Sequence, residues 1–320
     1  MKCIKPLYLL LCLVCFNCLN SRTSNPDLST NESESKLYVT VLGVAQDAGF
    51  PQIDCDKPCC QSVYSGEERP KMVSCLGLID LQEQKKWLFD ATPHIGEQLQ
   101  ILKSQHLNNG KVVDAVFLTH AHMGHYTGLM QFGREALNAN RLPVFVMPKM
   151  KAFLETNQPW KQLVSFGNID LKALKADSVQ VLGPHVKVMP IQVPHRDEFS
   201  ETVGFRIEGK SKSVLFIPDI DKWELWERDI VNEVKQVDYA LLDATFFKDG
   251  EVDRPMAEIP HPFIAETIRL FENEPLETRS KIYFIHFNHT NPALQANHPV
   301  KDSILKLGFH FAEEGDRFPL

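Results

Sequence analysis

Hydrophobic positions fall along the chain in short runs that stop at Gly, Pro, Asp or His, and the runs are rich in Val, Ile, Leu and Phe. That pattern predicts strands at Leu37–Val44, Cys75–Leu81, Trp87–Phe89, Val113–Leu118, Val144–Val146, Val186–Val193, Thr202–Ile207, Ser213–Ile217, Tyr239–Leu242 and Lys281–Ile285. Between several of them apolar residues recur every third or fourth position. This predicts helices at Ile95–His106, Tyr126–Asn138, Lys149–Glu155, Lys222–Val234 and Pro262–Phe271. The early strands lie close enough to form hairpins, and the later ones alternate with helices. Sheets sandwiched between helices account for this mixture better than a purely parallel doubly wound sheet. No repeat and no Pro/Gly-rich linker divides residues 37–320, which therefore read as one domain.

The N-terminus departs from this pattern. Lys2 and Lys5 precede an apolar run ending at Phe16, the length of a signal-peptide core and too short to span a bilayer. Residues 19–36, rich in Ser, Asn, Thr and Glu, read as a flexible tether. Residues 1–18 thus predict an exported protein, periplasmic or on the outer surface. Cys18 is a candidate for acylation and membrane attachment; simple secretion is the alternative, since Cys15-Phe16-Asn17 departs from the small residues such a site prefers. The 320 residues carry 34 Lys+Arg against 41 Asp+Glu, a net charge of −7, which excludes a dedicated duplex-DNA binder. The eight cysteines form two groups: Cys3, Cys12, Cys15 and Cys18 in the export segment, and Cys55, Cys59, Cys60 and Cys75 beyond it.

The chemistry lies in the histidines. The strand Val113–Leu118 runs into Thr119-His120-Ala121-His122-Met123-Gly124-His125, so a buried strand delivers three imidazoles to one turn. Neutral imidazole is the commonest protein metal ligand, and His120 and His122 share a side of an extended segment while His125 opens a helix. That spacing suits two adjacent metal positions. Three later apolar runs also stop at a donor: His195, Asp219 and His286.

In this order the motifs resemble the metallo-β-lactamase fold superfamily, whose signature is His-x-His-x-Asp-His after a strand, then a His, an Asp and a last His at strand ends. The resemblance implies an α+β four-layer αβ/βα sandwich, two mixed β-sheets flanked by helices. It also implies that His120, His122 and His195 hold one metal, that His125 and His286 belong to a second, and that Asp219 bridges them. Gly43-Val-Ala-Gln-Asp47-Ala-Gly-Phe-Pro-Gln52, Val193-Pro-His-Arg-Asp-Glu-Phe199 with Thr202-Val-Gly-Phe-Arg206, and Phe287-Asn-His-Thr-Asn-Pro292 resemble the pyrroloquinoline quinone biosynthesis protein B branch. One departure matters: Gly124 stands where the superfamily has Asp. The second position then keeps His125, His286 and a share of Asp219, with lowered affinity. A mononuclear zinc centre, an asymmetric dinuclear centre and a non-haem iron site all remain open.

Cys55-Asp-Lys-Pro-Cys59-Cys60 has the density of a structural zinc site, with His289, three residues past His286, as the fourth donor. The phosphodiesterase of the phosphonate-degradation pathway is similar in this respect. Disulfides or free buried thiols are the alternatives in an exported protein. Cys75 reads as a small core residue. Asp90 and Asp243 end apolar runs and are candidates to orient ligand imidazoles or to cap loops. His261, at a helix start before Pro262, reads as an exposed loop histidine, with a place facing substrate as the alternative; Asp47 and Arg196 read as candidates for substrate contact, and Trp223 and Trp226 as packing.

These observations predict a hydrolase in which metal-activated water, oriented by Asp219, attacks an ester, phosphodiester or amide-type bond of a small molecule. The expected cofactors are one or two active-site zinc ions, or iron, and one structural zinc. An iron-dependent oxidative or accessory role like that of the quinone-pathway branch is the alternative, and a metal-binding lipoprotein with impaired catalysis is a third. That branch keeps fewer of the ligand histidines, so the chain leans toward hydrolysis.

Overall fold

A computed structural model describes residues 35–320 apart from Arg254, Ala296 and Asn297. The predicted signal, Cys18 and nearly all of the tether lie outside the described residues.

Fourteen strands form two sheets. They are β1 (Leu37–Gly43), β2 (Cys75–Asp80), β3 (Lys85–Phe89), β4 (Ala115–Phe117), β5 (Leu142–Val146), β6 (Ile169–Ala173), β7 (Gln180–Val181), β8 (Lys187–Gln192), β9 (Val203–Glu208), β10 (Ser213–Ile217), β11 (Tyr239–Asp243), β12 (Ile282–Ile285), β13 (His310–Phe311) and β14 (Arg317–Pro319). The orders are β14-β1-β2-β3-β4-β5-β6 and β13-β12-β11-β10-β9-β8-β7. In each sheet one half is antiparallel (β14 through β3; β7 through β10) and the other parallel (β3 through β6; β10 through β13). The expected pair of mixed sheets is therefore present.

The helices are α1 (Pro58–Tyr64), α2 (Ile95–Ile101), α3 (Met123–Tyr126), α4 (Pro148–Thr156), α5 (Trp160–Ser165), α6 (Ile230–Lys235), α7 (Ile264–Leu270), α8 (Leu276–Arg279) and α9 (Val300–Lys306). Alternation along β1 explains the layers: Val39 and Val41 face the interior between the sheets, while Tyr38 and Leu42 join the cluster that includes Ile95 and Leu102 of the α2 segment. Between the sheets Phe205 meets Phe89 and Phe117 edge to face, with ring centroids 5.3 and 5.7 Å away. Burying each such ring is worth about 1.5–3 kcal/mol.

Two predicted helices are not continuous. Over Tyr126–Asn138 the chain forms a 3₁₀ segment, Thr127–Phe132, ending before Gly133. At Gly128 the backbone lies so close to Ala91 and Thr92 that a Cβ would sit 2.8 Å from the Ala91 carbonyl oxygen. Lys222–Val234 divides into a 3₁₀ turn, Trp223–Leu225, and α6, because the Asp229 side chain accepts from Val231 N (2.8 Å) and Asn232 N (3.3 Å) and starts a new helix. Trp223 and Trp226 are nonetheless buried, as expected, with their indole N–H groups donating to Thr267 Oγ1 and the Gln192 carbonyl.

Candidate metal centre

Strands β1, β3, β4, β8, β10, β11 and β12 run the same way, so the segments following them meet at one edge of the sandwich. Asp47 follows β1, Asp90 follows β3, and His120, His122 and His125 follow β4. His195, Asp219 and His286 follow β8, β10 and β12, and Asp243 ends β11. One group comprises His120, His122, His195 and Asp219, a second Asp47, His125 and His286, and in each group the donor atoms all lie within 4.8 Å of one another. Asp219 joins the two: its Oδ1 is 3.2 Å from His195 Nε2, and its Oδ2 is 3.3, 3.6 and 3.9 Å from Nε2 of His120, His125 and His286.

Six of these donors, Nε2 of His122, His125, His195 and His286 with Oδ1 of Asp47 and Asp219, are buried without a hydrogen-bond partner among the described residues. Each unsatisfied group costs about 1–3 kcal/mol, so the set costs on the scale of a domain's whole net stability, about 5–15 kcal/mol. A folded chain tolerates that cost when the atoms have a shared partner, and nitrogen and carboxylate donors this close together suit a divalent cation. The residues therefore fit a metal centre.

The opposite nitrogens are anchored. His125 Nδ1 is 2.8 Å from Asp90 Oδ2, His195 Nδ1 3.0 Å from Asp221 Oδ1, His286 Nδ1 2.9 Å from Thr245 Oγ1 and His120 Nδ1 3.0 Å from Thr119 Oγ1. Such contacts fix ring orientation before any ion arrives. Of the described non-glycine residues with positive φ, only Asp90 (70°) and His286 (68°) are fully buried, and both belong to this centre. Strain of this kind, about 1–3 kcal/mol per residue, persists where the surroundings enforce it.

Burial keeps the imidazoles of His120 and His286 below their usual range and brings His122 down to about 4, so they stand as neutral donors. Burial alone would also lower His125, but the carboxylates of Asp90 and Asp47 outweigh it and hold the metal-free ring as imidazolium. A bound cation must displace that proton. Burial works against the charged form of Asp47 as well; the attraction of the His125 and His286 imidazoles holds the carboxyl below the ordinary range.

A separate cluster joins Cys55, Cys59, Cys60 and His289. Cys59 and Cys60 lie on α1, and their sulfurs are 3.8 and 3.4 Å from His289 Nδ1. Burial pushes the Cys60 thiol up to about 12, and all three cysteines are unbridged. Among the described residues none of the cysteines forms a disulfide.

Residues 85–287 match the family model described as beta-lactamase superfamily domain. The chain belongs to the beta-lactamase superfamily. Within this superfamily it is similar to coenzyme PQQ synthesis protein B of Cupriavidus taiwanensis, at 26% identity over 87% of this chain and 97% of that protein. Its fold is shared with the Zn(2+)-bound PqqB from Methylobacterium extorquens, with a TM-score of 0.73 and 21% identity over 88% of this chain and 100% of that one. A diphosphatase from the PhnP family shares it with a TM-score of 0.60 and 22% identity, over 88% of this chain and 96% of that one. Superfamily membership and the four-layer sandwich follow, and the quinone-branch resemblance stands as a similarity along most of the chain.

The structure gathers the ten residues expected to bind metal into two places, the sheet-edge centre and the cysteine cluster, and it corrects two expectations. Asp47, expected at the substrate, lies in the metal cluster with Oδ1 3.4 Å from His125 Nε2. The second group of donors therefore includes a carboxylate besides its two histidines. His261 is not an exposed loop histidine: it is 5% exposed, with Nδ1 2.9 Å from Asp243 Oδ2 and 3.1 Å from Asp219 Oδ1. Burial alone would lower it, yet Asp243 and Asp219 raise it to about 10. Asp90 and Asp243 take both of the roles expected for them: each contacts an imidazole, Asp90 that of His125 and Asp243 that of His261, while also accepting backbone N–H groups, Asp90 from Thr119 and Asp243 from Thr245 and Ile220. No local signal marks Asp47 or His261, because both reach the centre from loops distant in sequence.

Asp90→Ala should weaken zinc binding on the His125 side by about 10–100-fold, the scale for losing a partner that orients a ligand. Chelator competition measures this, and an unchanged affinity would limit Asp90 to a loop contact.

Proposed function

We propose that this chain is a metal-dependent hydrolase acting on an ester, phosphodiester or amide-type bond of a small molecule, with a phosphodiester the best match to the charge around the site. The observation that carries the reading is the set of six unpartnered buried donor atoms gathered around Asp219 at the sheet edge. Zinc bound there would lower the pKa of a water toward neutrality and polarise the substrate oxygen.

The chain's own residues supply the rest. The Asp219 carboxylate orients the attacking water and accepts its hydrogen bond. Beside the centre a cleft of about 380 Å³ is lined by Gln46, Arg196, Glu258, His261 and Asn288. The Arg196 guanidinium there is suited to a phosphoryl oxygen, while the His261 charge is already matched by Asp243 and Asp219. The cysteine cluster with His289 would hold a structural zinc, and the export reading of residues 1–18, with Cys18 as the lipid site, would put this activity outside the cytoplasm.

The test is turnover by zinc-reconstituted protein on bis(p-nitrophenyl) phosphate, p-nitrophenyl acetate and a chromogenic β-lactam. Phosphodiester cleavage that chelation abolishes and zinc restores is the expected result. No turnover on any of the three by zinc-replete protein would sink the proposal.

One observation favours a second reading: Asp47, His125 and His286 form a two-histidine, one-carboxylate set, which also suits non-haem Fe(II). The similarity to PQQ synthesis protein B supports an oxidative or accessory role on that basis. Oxygen uptake by iron-loaded but not zinc-loaded protein would select this reading.

A further inference from the structure

The missing Asp at position 124 and the unexpected Asp47 occupy the same space. A Cβ built on Gly124 would overlap the Asp47 carboxylate and lie 2.6 Å from the Asp47 Cα. The backbone of Asp47 cannot retreat easily. Gln46 N donates to the Phe287 carbonyl (2.8 Å), Phe287 N to the Val44 carbonyl (2.8 Å), Ala45 N to the Met72 carbonyl (2.9 Å), and Gly49 N closes the turn on the Gln46 carbonyl (2.8 Å). This bracing sets Asp47 beside the strand end that bears His286, with its Oδ1 3.4 Å from His125 Nε2, 3.9 Å from His286 Nε2 and unpartnered.

We propose that Asp47 is a metal ligand of the second position, supplied from the loop after β1 in place of the motif aspartate, and that Gly124 is the residue that makes room for it. The carboxylate absent from the His-x-His turn has a spatial substitute that sequence alignment cannot show. With Asp47 and its backbone in this place, position 124 has room for glycine and for no residue with a Cβ. The second position has Asp47, His125, His286 and a share of Asp219 as donors, one carboxylate more than the sequence motif suggests. The inference rests on reading the cluster as a metal centre and needs no particular substrate.

The experiment measures metal content and zinc affinity of the full chain after equilibration with excess zinc, by elemental analysis and chelator competition. Wild type should hold two zinc ions at this centre besides the one at the cysteines. Asp47→Asn, nearly isosteric, should lose about one equivalent, or bind it on the order of 100-fold more weakly, at least the upper end of the loss for an orienting partner alone. Gly124→Ala should also lose it, because its Cβ would meet the Asp47 carboxylate and Cα. Thermal melts of each variant separate metal loss from failure to fold. An Asp47→Asn protein with full content and unchanged affinity would overturn the inference, as would a folded Gly124→Ala protein with the same. Wild type holding only one zinc at the centre would overturn it too, yet would leave a mononuclear hydrolase intact. Absence of turnover would count against the proposed function alone.

Discussion

Asp219→Asn should reduce kcat/KM on the cleaved substrate by on the order of 10⁴, within the range seen when one member of an interdependent catalytic set is removed. Asp219 is 3% exposed, and its oxygens lie 3.2–3.9 Å from Nε2 of four histidines in the two groups. The amide keeps the size of the carboxylate and loses its charge. The histidine-rich first group then has no anionic donor, and the two positions lose the group they share. Kinetics at saturating zinc, with a metal count on the same sample, provide the measurement. Activity within tenfold of wild type, with both ions retained, would show that Asp219 neither bridges nor orients the water.

The second large effect is on stability. Cys60→Ser should remove one zinc per chain and lower the melting temperature by about 10 °C or more. Structural zinc contributes about 10–16 kcal/mol in small domains, and each kcal/mol lost from a chain of this size is worth about 2–4 °C. Cys60 is fully buried, 3.4 Å from His289 Nδ1, and its sulfur accepts from Gln52 N at 3.4 Å. The cluster therefore pins the loop that carries Asp47 to the loop that follows His286. Zinc at the catalytic centre should consequently bind more weakly in this variant. A melting temperature within about 2 °C of wild type and an unchanged zinc count would show that the thiols are only buried neighbours.

The periodic features were legible in the sequence. The ten predicted strands exist because each is a buried apolar run bounded by a turn residue, and the polar stops after β4, β8, β10 and β12 became donors of the candidate centre. What escaped was short, mixed or dependent on tertiary contact. β7 and β13 have two residues each, β14 has three, and β6, with buried Ile169 and Leu171 beside more exposed Asp170 and Lys172, carries a weak alternation. α1 was hidden because its cysteines read as a loop, although Pro58 occupies a favourable first-turn position. In the site, His120, His122 and His125 announce themselves by spacing. Asp47 and His261 do not, because their chemistry depends on which loops fold over the sheet edge. Gly124 was legible as a departure but not as a compensated one: the compensation lies 77 positions away in the sequence.

The pairing of β14 with β1 has a practical consequence for handling the protein. Leu320 N donates to the Leu37 carbonyl at 3.0 Å, so the two ends of the described domain meet. They meet at the start of β1, a strand whose seven residues span about 20 Å before the chain reaches the loop of Asp47. A tag, dye or immobilising linker attached at Leu320 would therefore leave from the pole remote from the histidine cluster. A circular permutant joining Leu320 to Leu37 and reopened in an exposed loop far from the histidines would retain both sheets in their present register.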